Sequence, residues 1–369
     1  MGIGDVSLPL CQSVIKALHE AVEDQAVKEK FHGYMPECGA AFLREAIAKY
    51  YAEKGINYDL EDIFITNGGS EALIFAAMAL CDPGDEIMVF EPYYANYTTF
   101  AKEFGAVINA VQTNVENGYH LPSQEEIEAQ ITPRTRAILL TNPGNPTGVV
   151  YTEEEMEMIS RIVLKYDIAL IADEVYREFV YDGAYRSFGT MPELDQHVIM
   201  IDSVSKRFSA CGARIGCIIC KNKAFGKEII KCCQARLCSP ILEQVGAAAL
   251  YDTPATYLEE VNQEYKKRRD TIANALAKLP GVAASDPKGA FYVMVALPVD
   301  DAEKFAIWTL ENFDIDGETV MFAPGNGFYN DPARGVNEAR LAYVLKSEDL
   351  EKAIYILGEA LKAYPGNTY

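Results

Sequence analysis

The sequence predicts an α/β fold in which a mostly parallel sheet is sandwiched by helices and joined to a smaller α+β domain. Three observations carry this. Short apolar runs alternate with helical patterns over 62–220, the order that builds parallel sheets covered on both faces. After residue 253 the character changes to a long charged helix and a few strands kept apart from the helices. The chain has 369 residues, more than one ordinary core holds, so two lobes are expected. The larger is placed at 33–253, and the smaller at 1–32 plus 254–369.

The elements follow in order. Val14, Ile15, Leu18, Ala21 and Val22 recur at helical spacing within 11–30. Residues 31–39 read as a loop, punctuated by Gly33, Pro36 and Gly39. Phe42, Leu43, Ile47, Tyr50 and Tyr51 give a second amphipathic helix, which Gly55 ends. Ile63–Thr66 is a strand, Asn67-Gly68-Gly69-Ser70 a tight turn and 71–80 a helix. Strand 86–90, helix 93–104, strand 107–111 and strand 136–140 come next, then helix 153–166 started by Thr152, and strand 168–172. Apolar runs 197–201 and 215–220 read as buried strands flanking a polar loop. The second lobe carries helix 255–279, strand-like 290–296, helix 302–313, strand-like 319–322 and 339–344, and a final helix from Glu348.

Composition narrows the function. A net charge of −21 argues against nucleic acid or an anionic membrane as partner. No apolar run reaches membrane-spanning length and the first residues do not form a secretory signal, so a cytoplasmic protein is expected. The nine cysteines are read as reduced, mostly buried thiols. Cys217-x-x-Cys220, with Cys232, Cys233 and Cys238, has zinc-like spacing, but alternation along a strand sends Cys217 and Cys220 to opposite faces. No metal site is expected.

The chemistry concentrates in loops after strands, where α/β proteins place it. The loop 203–214 holds Ser203, Ser205, Lys206, Ser209 and Arg214. A lysine amine flanked by hydroxyls and a guanidinium suits a carbonyl cofactor with an anionic tail, the amine forming a Schiff base; the alternative is a polar surface loop. Gly68-Gly69-Ser70 offers backbone N–H groups at a helix start, a phosphate cradle or simply a turn. Asn142-Pro-Gly-Asn145-Pro-Thr-Gly148 presents Asn145 between two prolines, or is a well-made turn. Asp173 ends an apolar run; a cationic ring nitrogen would satisfy it, with Tyr176 three residues on, or it caps a helix.

These pieces together resemble the class I/II aminotransferases, pyridoxal-phosphate enzymes of fold type I. The resemblance rests on 33–39, 66–70, Glu91-Pro-Tyr-Tyr94, the 142–148 loop, 173–176, 203–214 and Arg340, in the family's order over nearly the whole chain. It implies that Lys206 carries the Schiff base, that Asp173 pairs with the pyridine nitrogen, and that Asn145 and Tyr176 bond the ring oxygen. Tyr94 would stack on the ring, where many relatives have Trp. Gly68, Gly69, Ser70, Ser203 and Arg214 would hold the phosphate. Tyr34 would reach the phosphate bound by the other subunit of a homodimer with shared sites. Arg340 would clamp the substrate α-carboxylate, with the Gly4 backbone near it. Relatives usually carry an arm ahead of the segment equivalent to 3–5, and its shortness here bears on dimer stability.

The implied activity is transfer of an amino group from an L-amino acid, aspartate or glutamate, to a 2-oxo acid by a ping-pong route. The alternatives on the same scaffold are a β-lyase acting on carbon–sulfur bonds and aminotransferases of aromatic, alanine or diaminopimelate-type substrates. A transcription regulator with an aminotransferase-like domain would need a basic DNA-binding segment, which this acidic chain does not show. For a distal carboxylate a second cation is needed. Some bacterial aspartate-using relatives place a lysine where this chain has Ser70, so Arg236, the cation of segment 234–240, which in the family approaches the neighbouring subunit's site, is the candidate; the alternative is a helix-surface arginine.

Overall fold

In the computed structural model, residues 1–4, 8–9, 12–27 and 33–369 are described. The ends of the first expected helix (11 and 28–30), loop residues 31–32 and Asp5 lie outside them. The described part of that helix is α1 (Gln12–Val27), followed by α2 (Ala41–Glu53).

The large sheet is built from β1 (Ile63–Thr66), β2 (Glu86–Glu91), β3 (Val107–Gln112), β4 (Thr135–Thr141), β5 (Ala169–Asp173), β6 (Val198–Ser203) and β7 (Gly216–Ile219). Its order is β1-β7-β6-β5-β4-β2-β3, with β7 antiparallel to both neighbours and the other pairs parallel. β6 returns directly into β7 through the 204–215 loop. Without a crossover helix that return runs antiparallel. The central strands are apolar throughout because both faces are covered. Cys217 packs in one of these two clusters and Cys220 in the other, as alternation requires.

Helices α3 (Gly68–Leu80), α4 (Asn96–Lys102), α5 (Gln124–Glu128) and α6 (Glu153–Tyr166) link the parallel strands. The start of α6 is fixed by a capping box between Thr152 and Glu155 and by three glutamates in its first turn. Two of these helices start at a residue other than the one expected. Helix α3 begins at Gly68 rather than Glu71, because Gly68 adopts φ +81 and lets the chain turn directly into the helix. Helix α4 begins at Asn96 rather than Tyr93, and the Tyr93 N–H donates to Phe328 O of the small lobe at 2.9 Å.

After the one-turn α7 (Val204–Arg207), helices α8 (Lys223–Arg236) and α9 (Ile241–Leu250) close the large lobe, and α10 (Ala255–Leu276) leads into the small one. There β8 (Ala283–Ala284), β9 (Tyr292–Ala296), β10 (Ala323–Pro324) and β11 (Glu338–Ala342) form a four-stranded antiparallel sheet in the order β10-β11-β9-β8, with α11 (Ala302–Asn312) and α12 (Ser347–Ala363). The expected strand at 319–322 is not formed. Val320 and Phe322 do alternate into the core, but the ladder bonds fall one step later, at Ala323–Pro324. Alternation reported burial, not pairing.

Helix α1 lies in the segment 1–32 expected to join the small lobe; Val14 belongs to the large-lobe cluster and Leu18 packs onto Gly246 of α9. Its apolar stripe needs a helical partner, and α9 supplies one. Met1 and Leu8, by contrast, pack against the small lobe. The lobes also meet where Arg334 pairs with buried Glu91 at the end of β2, while the Asn330 N–H donates to the same carboxylate at 3.0 Å.

Candidate active site

Thr141, Asp173 and Ser203 end three adjacent parallel strands, so their side chains and the following loops open at one edge of the sheet. The small lobe covers that edge. Between them lies a cavity of about 290 Å³ lined by residues from both lobes and from the first four positions of the chain.

Lys206 enters from α7, the single turn directly after β6. Its Nζ donates to Gly4 O at 2.9 Å and stands 3.7 Å from Cys211 Sγ. Arg214 follows at φ +51. Its guanidinium donates to Cys211 O at 3.0 Å and to Asn67 O at 3.4 Å. This places it against Gly68, where a Cβ would stand 2.8 Å from Cζ. The glycine is needed both for its positive φ and for this approach. Beside it, Gly69 and Ser70 form the open first turn of α3, whose N–H groups have no helical acceptor.

Asp173 is buried at the end of β5. Tyr97 donates to Oδ2 at 2.7 Å and the Val175 N–H to Oδ1 at 3.4 Å. Burial pushes its carboxyl up to about 6, helped by the charges of Asp202 and Glu174, while the Tyr97 and Val175 bonds act the other way. On the small-lobe side Arg340 projects from β11. It donates to Asn145 Oδ1 at 3.0 Å and to Gly2 O at 2.9 Å, and lies 4.4 Å over the Tyr292 ring. Its buried Nε has no bonded partner. Tyr176 Oη lies 3.5 Å from Asn145 Nδ2 and 3.1 Å from Tyr292 Oη. Burial, then the neighbouring Tyr292, holds the Tyr176 phenol well above its usual range.

The family model for aminotransferase class I and II matches residues 1–355. The chain belongs to the class I and II aminotransferases. It is 34% identical over 337 residues to a probable aspartate/prephenate aminotransferase of Thermus aquaticus, covering 89% of this chain and 84% of that one. Among solved structures, alanine aminotransferase from Pyrococcus furiosus matches with a TM-score of 0.89 at 30% identity, covering 98% of this chain and 91% of that one. Aspartate aminotransferase from Thermus thermophilus with maleate matches with a TM-score of 0.87 at 29% identity, covering 97% and 90%.

This family of aminotransferases depends on pyridoxal phosphate, and the residues present fit that group. Among the described residues no cationic side chain is bonded to Asp173, so a buried carboxylate faces the cavity with an unmet need for positive charge. The open turn at Gly69–Ser70, together with Ser203 and Arg214, is a donor set for a phosphate. Lys206 lines the same cavity.

Most residues that the sequence singled out in this aminotransferase line the one cavity: Gly4, Gly69, Ser70, Tyr94, Asn145, Asp173, Tyr176, Ser203, Lys206, Arg214 and Arg340. Gly68 lies behind it, under Arg214. Tyr34 is 84% exposed and lies away from the cavity. Arg236 does not line this cavity. Its Nη1 donates to Glu71 Oε2 at 2.6 Å and Ser239 Oγ at 2.9 Å, Nη2 to Glu37 O at 3.2 Å and Ile65 O at 3.1 Å, and Nε to Leu237 O at 2.6 Å. A guanidinium has five N–H donors, and all are used.

Sequence reasoning missed Tyr97, Thr141, Cys211 and Tyr292 as lining residues. Tyr97 had a signal: it sits one helical turn after Tyr94. Tyr292 had none, because an aromatic at the start of an apolar strand reads as core.

Proposed function

We propose that this aminotransferase moves an amino group from aspartate or glutamate to a 2-oxo acid, using pyridoxal phosphate. The observation that carries the reading is the presence of Lys206, Asp173 and Arg340 in one cavity of about 290 Å³. The names of the aspartate-using relatives support the donor.

When bound, pyridoxal phosphate supplies an aldehyde for covalent attachment and a ring that accepts electrons from the substrate Cα. The chain's own residues then divide the remaining work. Asp173 supplies the negative charge that keeps a ring nitrogen protonated, with Tyr97 holding the carboxylate in place. Asn145 and Tyr176 would donate to the ring oxygen, and Tyr94 would cover the ring face. Gly69, Ser70, Ser203 and Arg214 would hold the phosphate. Arg340 grips the substrate α-carboxylate in its planar fork and so orients the Cα–H bond. In doing so it exchanges its bond to Gly2 O for the substrate. Lys206, as a free amine, would take the proton from Cα and deliver it to the aldehyde carbon of the cofactor.

A second reading is favoured by one observation. The cationic residues lining the cavity are Lys206, Arg214 and Arg340, and each already has a role. With Arg236 committed to Glu71, no further cation among the described lining residues meets a distal carboxylate, which suits a small donor such as alanine.

A panel of amino donors with 2-oxoglutarate, read as glutamate formed, or oxaloacetate for glutamate as donor, separates these readings. Aspartate should lead for the first and alanine for the second. Pyruvate released from cysteine-type substrates with no 2-oxo acid present would instead support the β-lyase. The active unit is proposed to be a homodimer in which Tyr34 serves the neighbouring subunit's cavity, consistent with its exposure. Mixing Tyr34→Phe and Arg340→Ala variants should change activity through subunit exchange, and a fully active monomer would rule this out.

A further inference from the structure

We infer that Arg236 and Glu71 are a positioning pair for the phosphate end of the cofactor site, an inference that rests on the pyridoxal-phosphate reading. Neither residue lines the cavity. Both are largely buried, with side chains 13% and 17% exposed. What they hold is the turn from which the cradle is made.

Glu71 sits in the first turn of α3 and reaches back to the residue before the helix. Its Oε2 accepts the Asn67 N–H at 2.7 Å, and its Oε1 accepts Asn67 Nδ2 at 3.1 Å. One carboxylate thus fixes both the backbone and the side chain of the residue that precedes Gly68. Asn67 is also the residue whose carbonyl accepts from Arg214, at 3.4 Å. The path runs from Glu71 through Asn67 to Arg214, and the open amides of Gly69 and Ser70 follow in the same turn.

Arg236 anchors Glu71 in turn. Its other donors go to the Ser239 hydroxyl and to carbonyls of three segments: Glu37 in the loop after Tyr34, Ile65 at the end of β1, and Leu237 after α8. A planar guanidinium with every donor committed sets these segments relative to one another in a way that a flexible ammonium does not. The four segments it joins surround the start of α3. A negative carboxylate at this helix start would oppose a bound dianion if it were free. Its pairing with Arg236 removes that opposition while keeping its grip on Asn67.

Charge and positioning predict opposite results for two conservative substitutions. Glu71→Gln removes a negative charge near the phosphate. On charge alone it should tighten phosphate binding. The amide, however, brings an NH2 group to a place where Asn67 N, Asn67 Nδ2 and Arg236 all donate, so at least one of these bonds is lost. Arg236→Lys keeps the charge but cannot reach five acceptors. On charge alone it should be neutral.

The test measures dissociation constants of the cofactor-free wild type and both variants for pyridoxal phosphate and for pyridoxal, which lacks the phosphate. The positioning role predicts that each substitution weakens pyridoxal phosphate by about tenfold or more, the size of one charge-assisted bond or more. Pyridoxal should change little. Tighter binding of pyridoxal phosphate by Glu71→Gln, or wild-type binding by Arg236→Lys, would overturn the inference. So would an equal loss for both ligands, which would mean general damage to the fold. A wild type that binds neither ligand would remove the cofactor reading itself, and the inference with it.

Discussion

Asp202 and Arg207 pair with each other across the single helical turn that presents Lys206, and both side chains are fully buried. The remaining Asp202 contacts are the Ser203 N–H and Tyr51 Oη, both at 2.7 Å, and the Arg207 guanidinium lies 4.6 Å over the Tyr50 ring. The pair therefore clips the two ends of the loop segment that carries Ser203 and Lys206.

Removing one partner of such a pair leaves a buried charge without compensation. Arg207→Met should destabilise the protein by about 3–5 kcal/mol, read from urea unfolding. The double variant with Asp202→Asn should recover part of that loss. Simple addition of the two single effects would show that the side chains are not coupled.

Asp173 gives a prediction about pH. Its carboxyl is pushed up to about 6 by burial, above the ordinary value near 4. Between these values the folded chain holds a proton that the unfolded chain has lost, so stability falls as pH rises from about 4 to about 6. Above that window the cofactor-free protein carries the full cost, up to about 3 kcal/mol. Asp173→Asn removes it. The variant should unfold at higher urea than wild type above pH 6, and the gap should close below about pH 4. A gap independent of pH would contradict the assignment.

Tyr97 bears on the same group. Its hydroxyl donates to Asp173 Oδ2 and lowers the carboxyl from where burial alone would put it. Tyr97→Phe should move the Asp173 window upward by about one unit, the order expected for one hydrogen bond to a charged group. Comparing Tyr97→Phe with Tyr97→Phe/Asp173→Asn across pH measures the shift. An unmoved window would mean that the bond contributes nothing to ionisation.

The large sheet was legible because its strands are buried on both faces and separated by helices with clear starts, as Thr152 and Glu155 show for α6. The candidate site was legible where a residue type suited to chemistry sits at or just after a strand end, as with Lys206, Asp173 and Asn145, which line one cavity. Other features escaped because tertiary partners decided them. Tyr93 bonds to Phe328 and stands outside its helix, and β10 took its ladder bonds one residue past an alternating run. Arg236 shows the limit for function: a sequence names a cation but not its partners, and only the positions of Glu37, Ile65 and Glu71 reveal where its donors go.

The N-terminal segment offers the last prediction. Gly4 is buried at the cavity wall, and its carbonyl accepts from Lys206. A Cβ there would collide with Tyr292 Oη and stand 2.8 Å from a Phe291 ring carbon. Neither aromatic can yield, since both are core residues of the small lobe. Gly4→Ala should therefore lift the segment rather than compress its neighbours. The Met1 carbonyl, which accepts the Ala342 N–H at 2.8 Å, would move with it. Hydrogen exchange at Ala342 should then quicken, while Tyr343, whose N–H bonds to Phe291 O at 3.0 Å, keeps its protection. With the segment displaced from Arg340 and Lys206, kcat/KM should fall by about 10²-fold, the scale of a misplacement near 1 Å. Unchanged exchange at Ala342 would show that the segment accommodates the methyl in place, and the steric argument would be wrong.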